Sequence, residues 1–431
     1  MESMLDTGNT AWVLTAAAMV LLMIPGLAFF YGGMVRSKSV LNMLMMVMGA
    51  AFVVMILWVL FGYSMAFGTD QNGLIGNPTE FFGLEGLMAD DPEASLPAMA
   101  FVSFQAMFAA LTVGLIAGAI ADRVKFGAWL VFGGIWAIIV YFPVAHWVWS
   151  AGGWIFELGV IDFAGGTAVH INAGAAALAL AIVIGRRVGW PKTPMRPHNL
   201  TLVMIGAGLL WFGWFGFNAG SALAADNSAS VVFLNTFVAT AAAGLAWLAV
   251  EKIRDGHATS LGAASGIVAG LVAITPACSS VSPIGAIVIG IVAGVLCALA
   301  VGLKYKLGYD DSLDVVGVHL VGGLVGTLLI GVLATEAAPA GVNGLLYGGG
   351  ADQLGKQAIG AFAVLFYSLI VAAIIALIIK AARGFRVDED VEVSGIDLAV
   401  HAESGYELGD SGGGGAFAGV GHAARNKEVQ A

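Results

Sequence analysis

Two histidines, His170 and His319, lie deep inside long apolar runs of a chain that has only 7 histidines. An ionisable residue at such depth is expensive to bury and is a functional candidate by default. Their surroundings repeat: Val169-His170-Ile171-Asn172-Ala173-Gly174 resembles Val318-His319-Leu320-Val321-Gly322-Gly323, and an aspartate lies upstream of each, at Asp162 and Asp314. A neutral imidazole has one donor and one acceptor nitrogen, so two facing rings can share a proton and relay it while staying uncharged. Burial in an apolar setting favours that neutral form. The competing reading is a histidine hydrogen-bonded between helices, and its recurrence at matching places weighs against it. No third ligand stands at a suitable spacing, so no metal and no cofactor are expected.

Aromatic residues form a second group. Phe104 and Phe108 are four apart and share a helix face. Trp149 closes the fourth apolar segment, and the sixth carries Trp211, Phe212, Trp214, Phe215 and Phe217. A single aromatic in such a segment usually faces lipid. A cluster at a pore mouth can instead bind a small cation through its ring faces, and Ser221, one turn after Phe217, adds a hydroxyl acceptor. Asp162 immediately precedes the fifth segment. It reads as an N-cap or as a charge favouring cations nearby, and the two roles are compatible.

These residues need a membrane scaffold to position them. Of 431 residues, 59% are hydrophobic and 11% charged, against roughly 25% charged in soluble domains. So little charge cannot cover a water-facing surface, and lipid must be the main solvent. The 61 glycines agree, since small residues let membrane helices approach closely. A formal net charge of -10 excludes nucleic acid as a partner. Cys278 and Cys297 form no ligand or disulfide pattern and read as packing residues.

Apolar runs of spanning length fall at 10–31, 41–67, 98–121, 126–149, 164–184, 200–222, 229–250, 260–275, 284–303, 315–334 and 359–381. The expected fold is therefore an all-α integral membrane protein with eleven transmembrane helices. Every second connection is basic, and 17 of the 18 Lys and Arg fall on one side, Lys356 being the exception. The positive-inside rule then puts the N-terminus outside and the C-terminal tail in the cytoplasm of a multi-pass cell-membrane protein. The start, MESMLDTGNT, lacks the basic region of a secretory signal, so the first segment reads as a retained helix. The outer connection 68–97 carries six acids and no Lys or Arg. It reads as solvated loop, with a weak cation-attracting vestibule as the alternative.

The likeness of segments five and ten, and of FFYGG (Phe29–Gly33) to GFNAG (Gly216–Gly220), pairs each helix with the one five later. Five is odd, so the halves run in opposite directions: an inverted 5+5 repeat with a peripheral eleventh helix and a site near the midplane. Residues 1–382 form the transporter domain and 383–431 a cytoplasmic tail, its first part able to fold or dock and its SGGGG run a flexible linker.

The run Asp162-Phe163-Ala164-Gly165-Gly166-Thr167-Ala168-Val169-His170 resembles the signature of the Amt/Mep/Rh ammonium transporters. PGLAFFYGGMVR in the first helix, WFGFNAGSA in the sixth and DVVGVHLVGG in the tenth are similar to the same family. The likeness covers nearly the whole chain and fits the bacterial and archaeal Amt branch, because helix four ends in Trp149. It implies a homotrimer with one pore per subunit. It also implies a recruitment site for ammonium, with methylammonium a further candidate, at Trp149, Phe108 and Ser221. Phe108 and Phe217 become a stacked gate with Phe104 beside it, His170 and His319 the paired pore histidines, and Asp162 the structural acid supporting the outer site. The tail resembles the family's regulatory segment, which in relatives meets a PII-type signalling protein. The start without a leader differs from members that carry a cleaved one.

Ammonium and potassium are similar in size, so selection is expected to depend on losing a proton. An apolar constriction is costly for any cation, and only ammonium has a neutral form that can cross. Whether the proton follows stays open at this point. A sensor signalling through the tail is the alternative. A membrane enzyme using the histidines is a third reading, and it finds no nucleophile or metal set beside them.

Overall fold

The computed structural model describes residues 4–89, 91 and 94–406. The glycine run of the tail, Arg425, Lys427, Asp90 and Glu93 lie outside the described residues. The helices in chain order are α1 (Thr7–Met34), α2 (Ser37–Phe67), α3 (Ala98–Ile120), α4 (Phe126–Glu157), α5 (Gly166–Ile184), α6 (Leu200–Gly220) and α7 (Asn227–Asp255). Then follow α8 (Ser260–Ile274), α9 (Pro283–Leu307), α10 (Val316–Leu333) and α11 (Asp352–Arg383). Among the described residues, the 10 other than α8 are long and apolar enough to cross a membrane. The chain is a helical membrane protein.

α8 forms where an eighth span is expected but has only 15 residues. It stops ahead of Thr275-Pro276, as a proline disfavours helical backbone in the residue before it. α11 begins at Asp352, seven residues before its apolar run, because Lys356 and Asp352 pair at 2.7 Å one turn apart and extend the helix past the lipid-facing stretch.

Polar caps begin the helices. Asp6, Asn199, Asp226, Thr259 and Ser282 each accept a backbone N–H of the first turn of α1, α6, α7, α8 and α9. α1 lies along α6 and α7 along α9. Small residues permit the first of these approaches: a Cβ on Gly206 of α6 would stand 2.3 Å from the backbone nitrogen of Phe30 of α1. Among the described residues, four π-helical turns interrupt the spanning helices: Trp58–Gly62 within α2, Ala137–Tyr141 within α4, Gly166–Ile171 opening α5 and Val316–Leu320 opening α10. Such turns re-aim side chains and gather at functional sites. A short hairpin, β1 (Asp70–Gln71) and β2 (Ile75–Gly76), crosses the C-terminal parts of α2 and α4.

The tail folds back on the helix ends. α12 (Glu389–Ser394) places Glu392 where its carboxylate accepts from Val188 N–H at 2.6 Å and from Arg386 at 2.6 Å. Asp397 then accepts from the backbone N–H groups of Leu41 and Asn42 at the start of α2, at 3.0 and 2.8 Å.

Candidate functional site

The π turns that open α5 and α10 carry His170 and His319 respectively. Both rings are buried, and their Nδ1 atoms face each other at 3.3 Å with the planes 26° apart. Tertiary structure thus brings together two side chains 149 positions apart. The His170 ring also stacks on Trp214, with centroids 5.4 Å apart. Trp214 is held in turn, because its Nε1 donates to Thr275 Oγ1 at 2.8 Å.

Above this pair lie the phenylalanines. The Phe108 and Phe217 rings stack at 4.1 Å between centroids, 25° apart, and Phe217 is 6.1 Å from the His170 ring. At a centroid separation of 4.1 Å the stacked rings are in van der Waals contact, with no gap between them. Phe104 does not belong to the stack. It is fully buried and meets Phe108 edge-on at 4.8 Å.

On the side of the stack away from the histidines is a cavity of about 180 Å³, lined among others by Phe67, Gln105, Phe108, Trp149 and Ser221. The Ser221 hydroxyl donates to the Phe217 carbonyl oxygen at 2.8 Å. Its proton is therefore committed, and its oxygen offers acceptor capacity to the cavity. Gln105 Oε1 is buried without a hydrogen-bond partner. Phe108 and Trp149 meet at 89° with centroids 6.0 Å apart, which gives a small cation ring faces as well as oxygens.

Asp162 supports this arrangement from behind. Oδ1 accepts from Gly165 and Gly166 N–H at 2.8 and 2.6 Å, and Oδ2 from Thr167 and Ala168 N–H at 2.7 and 3.0 Å. One carboxylate thus satisfies the donors that open α5, while its backbone oxygen accepts from Trp149 Nε1 at 3.0 Å. Burial pushes the Asp162 carboxyl above the usual aspartate range, with the four N–H groups opposing.

The counterpart of Asp162 at α10 is Asp311, not Asp314. Asp311 accepts from Val315 and Val316 N–H at 3.1 and 2.7 Å, and it precedes His319 by the same eight residues that separate Asp162 from His170. Asp314 has a left-handed φ of 64° and pairs with Lys304 at 2.7 Å.

The structure gathers His170, His319, Phe108, Phe217, Trp149, Ser221 and Asp162 into one column. The sequence offers Trp214 only as one of the aromatics of the sixth segment, not as the partner of His170, and does not single out Gln105. A signal for Gln105 was present: Phe101, Gln105 and Phe108 fall at i, i+4 and i+7, one helical face with a polar residue between two rings. Among the described residues no group of three or more His, Cys, Asp or Glu could hold a metal ion.

The model of the Ammonium Transporter Family matches residues 11–406. The ammonium transporter of Mycobacterium tuberculosis (strain ATCC 25618 / H37Rv) is 62% identical, over 94% of this chain and 91% of its own length. Among solved structures, a chain described as Sensor Amt Protein superposes with a TM-score of 0.84 at 32% identity, over 91% of this chain and 98% of that one. Saccharomyces cerevisiae Mep2 gives 0.82 at 36% identity, over 95% and 93%. With the histidine pair, the stacked rings and matches of this extent, the chain belongs to the Ammonium Transporter Family.

Proposed function

We propose that this ammonium transporter recruits NH4+ in the cavity of Trp149, Phe108 and Ser221, removes a proton, and conducts NH3, with or without that proton, past His170 and His319. The observation that carries the reading is the unbroken sequence of cavity, stacked phenylalanines and histidine pair. NH4+ brings four donors, which suit ring faces and the oxygens of Ser221 and Gln105. A bare cation cannot follow into the apolar constriction, because burying an unpaired charge costs many kcal/mol. Potassium has no neutral form and stays outside.

The architecture we assign is eleven spans, α8 being a short one, in an inverted 5+5 repeat with α11 outside it. Support comes from the pairing of α1 with α6 and from the equal spacing of the capping aspartates before the two histidines. The N-terminus is outside and the tail cytoplasmic, as the one-sided placement of Lys and Arg implies, and the assembly is a homotrimer, as the family resemblance implies. The tail from 383 onward acts as a regulatory unit for a PII-type protein. A sensing role is the second reading. It is favoured by the bonds of Glu392 and Asp397 to the inner helix ends, through which tail docking and pore conformation can influence one another, and by the likeness to the Sensor Amt Protein.

The test is current from purified protein on a solid-supported membrane, pulsed with ammonium and separately with potassium. A saturable ammonium current, absent with potassium and lost or altered in selectivity in H170A/H319A, is expected. No current, together with ammonia uptake into dye-loaded liposomes no faster than into empty ones, rejects transport and favours sensing.

A further inference from the structure

A buried polar arrangement left unused by that mechanism lies near the end of α4, beside the hairpin. His146 is fully buried. Its Nδ1 stands 2.9 Å from the carbonyl oxygen of Ala66, and its Nε2 2.8 Å from Asp70 Oδ1. Neither an amide carbonyl nor an ionised carboxylate has a proton to give. The ring is thus held between two acceptors, one facing each nitrogen. Gly73 N–H donates to the same carboxylate, to Oδ1 at 2.9 Å and Oδ2 at 3.1 Å. The imidazole and then this N–H hold the Asp70 carboxyl below the usual aspartate range.

These bonds connect two walls of the outer cavity. Ala66 precedes Phe67, which lines it from the end of α2, and Trp149, three residues after His146, lines it from α4. The hairpin that carries Asp70 is strapped to the same end of α4. Trp147 Nε1 donates to Leu74 O at 2.7 Å, and Trp154 N–H to Gly73 O at 3.2 Å. The fit is close enough that a Cβ on Gly152 would stand 2.5 Å from Asp70 Cβ. A single imidazole on the helix that carries Trp149 thus reaches the residue beside Phe67.

We infer that His146 is a positioning residue for ammonium recruitment: by bridging Ala66 and Asp70, it sets the separation of the Phe67 and Trp149 walls and hence the affinity of the outer site. It touches no substrate. The inference rests on the outer-site reading above and deepens it, because affinity is assigned to a pair of residues outside the cavity.

The experiment titrates ammonium against the full-length protein in the solid-supported membrane assay at one pH and reads half-saturation and maximal current separately. His146→Ala and Asp70→Ala are expected to raise the half-saturating concentration by about tenfold, the effect of one charge-assisted hydrogen bond, with maximal current within about twofold of wild type. Asp70→Asn keeps an oxygen facing Nε2 and recovers most of the affinity. An unchanged half-saturation in both alanine variants overturns the inference. So does a loss confined to maximal current, or one in which Asp70→Asn is as poor as Asp70→Ala. Where His146→Ala fails to reach the membrane, the Asp70 pair of variants at the solvent-facing end decides alone. Wild-type protein without a saturable ammonium current is a separate outcome that rejects the outer-site reading, and this inference with it.

Discussion

His170 and His319 turn the same ring atom, Nδ1, toward one another at 3.3 Å, so at most one of the two nitrogens carries a proton. The pair is asymmetric at any instant, and it inverts with both rings neutral when the shared proton crosses between the Nδ1 atoms while one Nε2 takes up a proton and the other releases one. The Nε2 of His170 is buried without a protein partner, and under the proposed function that end of the ring exchanges a proton with the ammonia in transit.

Replacing one ring by an apolar side chain breaks that exchange without opening the fold. His319→Leu is expected to lower ammonium-driven current by about a hundredfold, the scale of a lost positioned proton-transfer group, while the protein stays folded by thermal scan. Current measured on the same membranes with equal protein loading decides it.

Asp162 is a structural matter first. Asp162→Asn keeps the acceptor for Gly165 and Gly166 but turns an NH2 group toward Thr167 and Ala168, and a buried N–H left without a partner costs about 1–3 kcal/mol. Asp162→Ala strands all four donors. The expected order of melting temperature is wild type, Asn, then Ala, read by tryptophan fluorescence in detergent. An Ala variant as stable as wild type refutes the capping role.

The Asp70 carboxyl titrates below its ordinary value, so the hydrogen bonds it makes stabilise the hairpin at every pH above the unfolded value of about 3.9 and are lost as pH falls through the lower folded value. Hydrogen exchange over residues 68–77 is expected to stay slow down to about pH 4 and to accelerate below it. In Asp70→Asn the exchange shows no such acid step.

Ala402 follows the last turn of the tail with a left-handed φ of 55°, a conformation that glycine adopts without a Cβ penalty. The docked turn also holds His401 Nε2 at 3.0 Å from Asn42 Oδ1. Ala402→Gly removes a strain of about 1 kcal/mol and is expected to slow local hydrogen exchange over 396–402 about fivefold. Equal or faster exchange would show that the docked turn carries no such strain.

Much of this protein was legible in the chain alone, for definable reasons. Hydrocarbon excludes unpaired backbone and charge, so apolar length and the one-sided distribution of Lys and Arg mark the helices with little help from packing. Motifs such as DFAGGTAVH carry their own local geometry, since a cap binds donors within a few residues of itself. What composition could not reveal is which side chains meet across helices. Phe108 and Phe217 become a stack, and Trp214 a platform for His170, only because α3, α5 and α6 converge. Asp311 took the place expected for Asp314 because capping depends on where an oxygen points, and Asp314 is turned by its left-handed backbone toward Lys304. His146 reads in sequence as one more residue at a helix end. Its two acceptors, Ala66 and Asp70, lie 80 and 76 positions away, and only folding brings them to its ring.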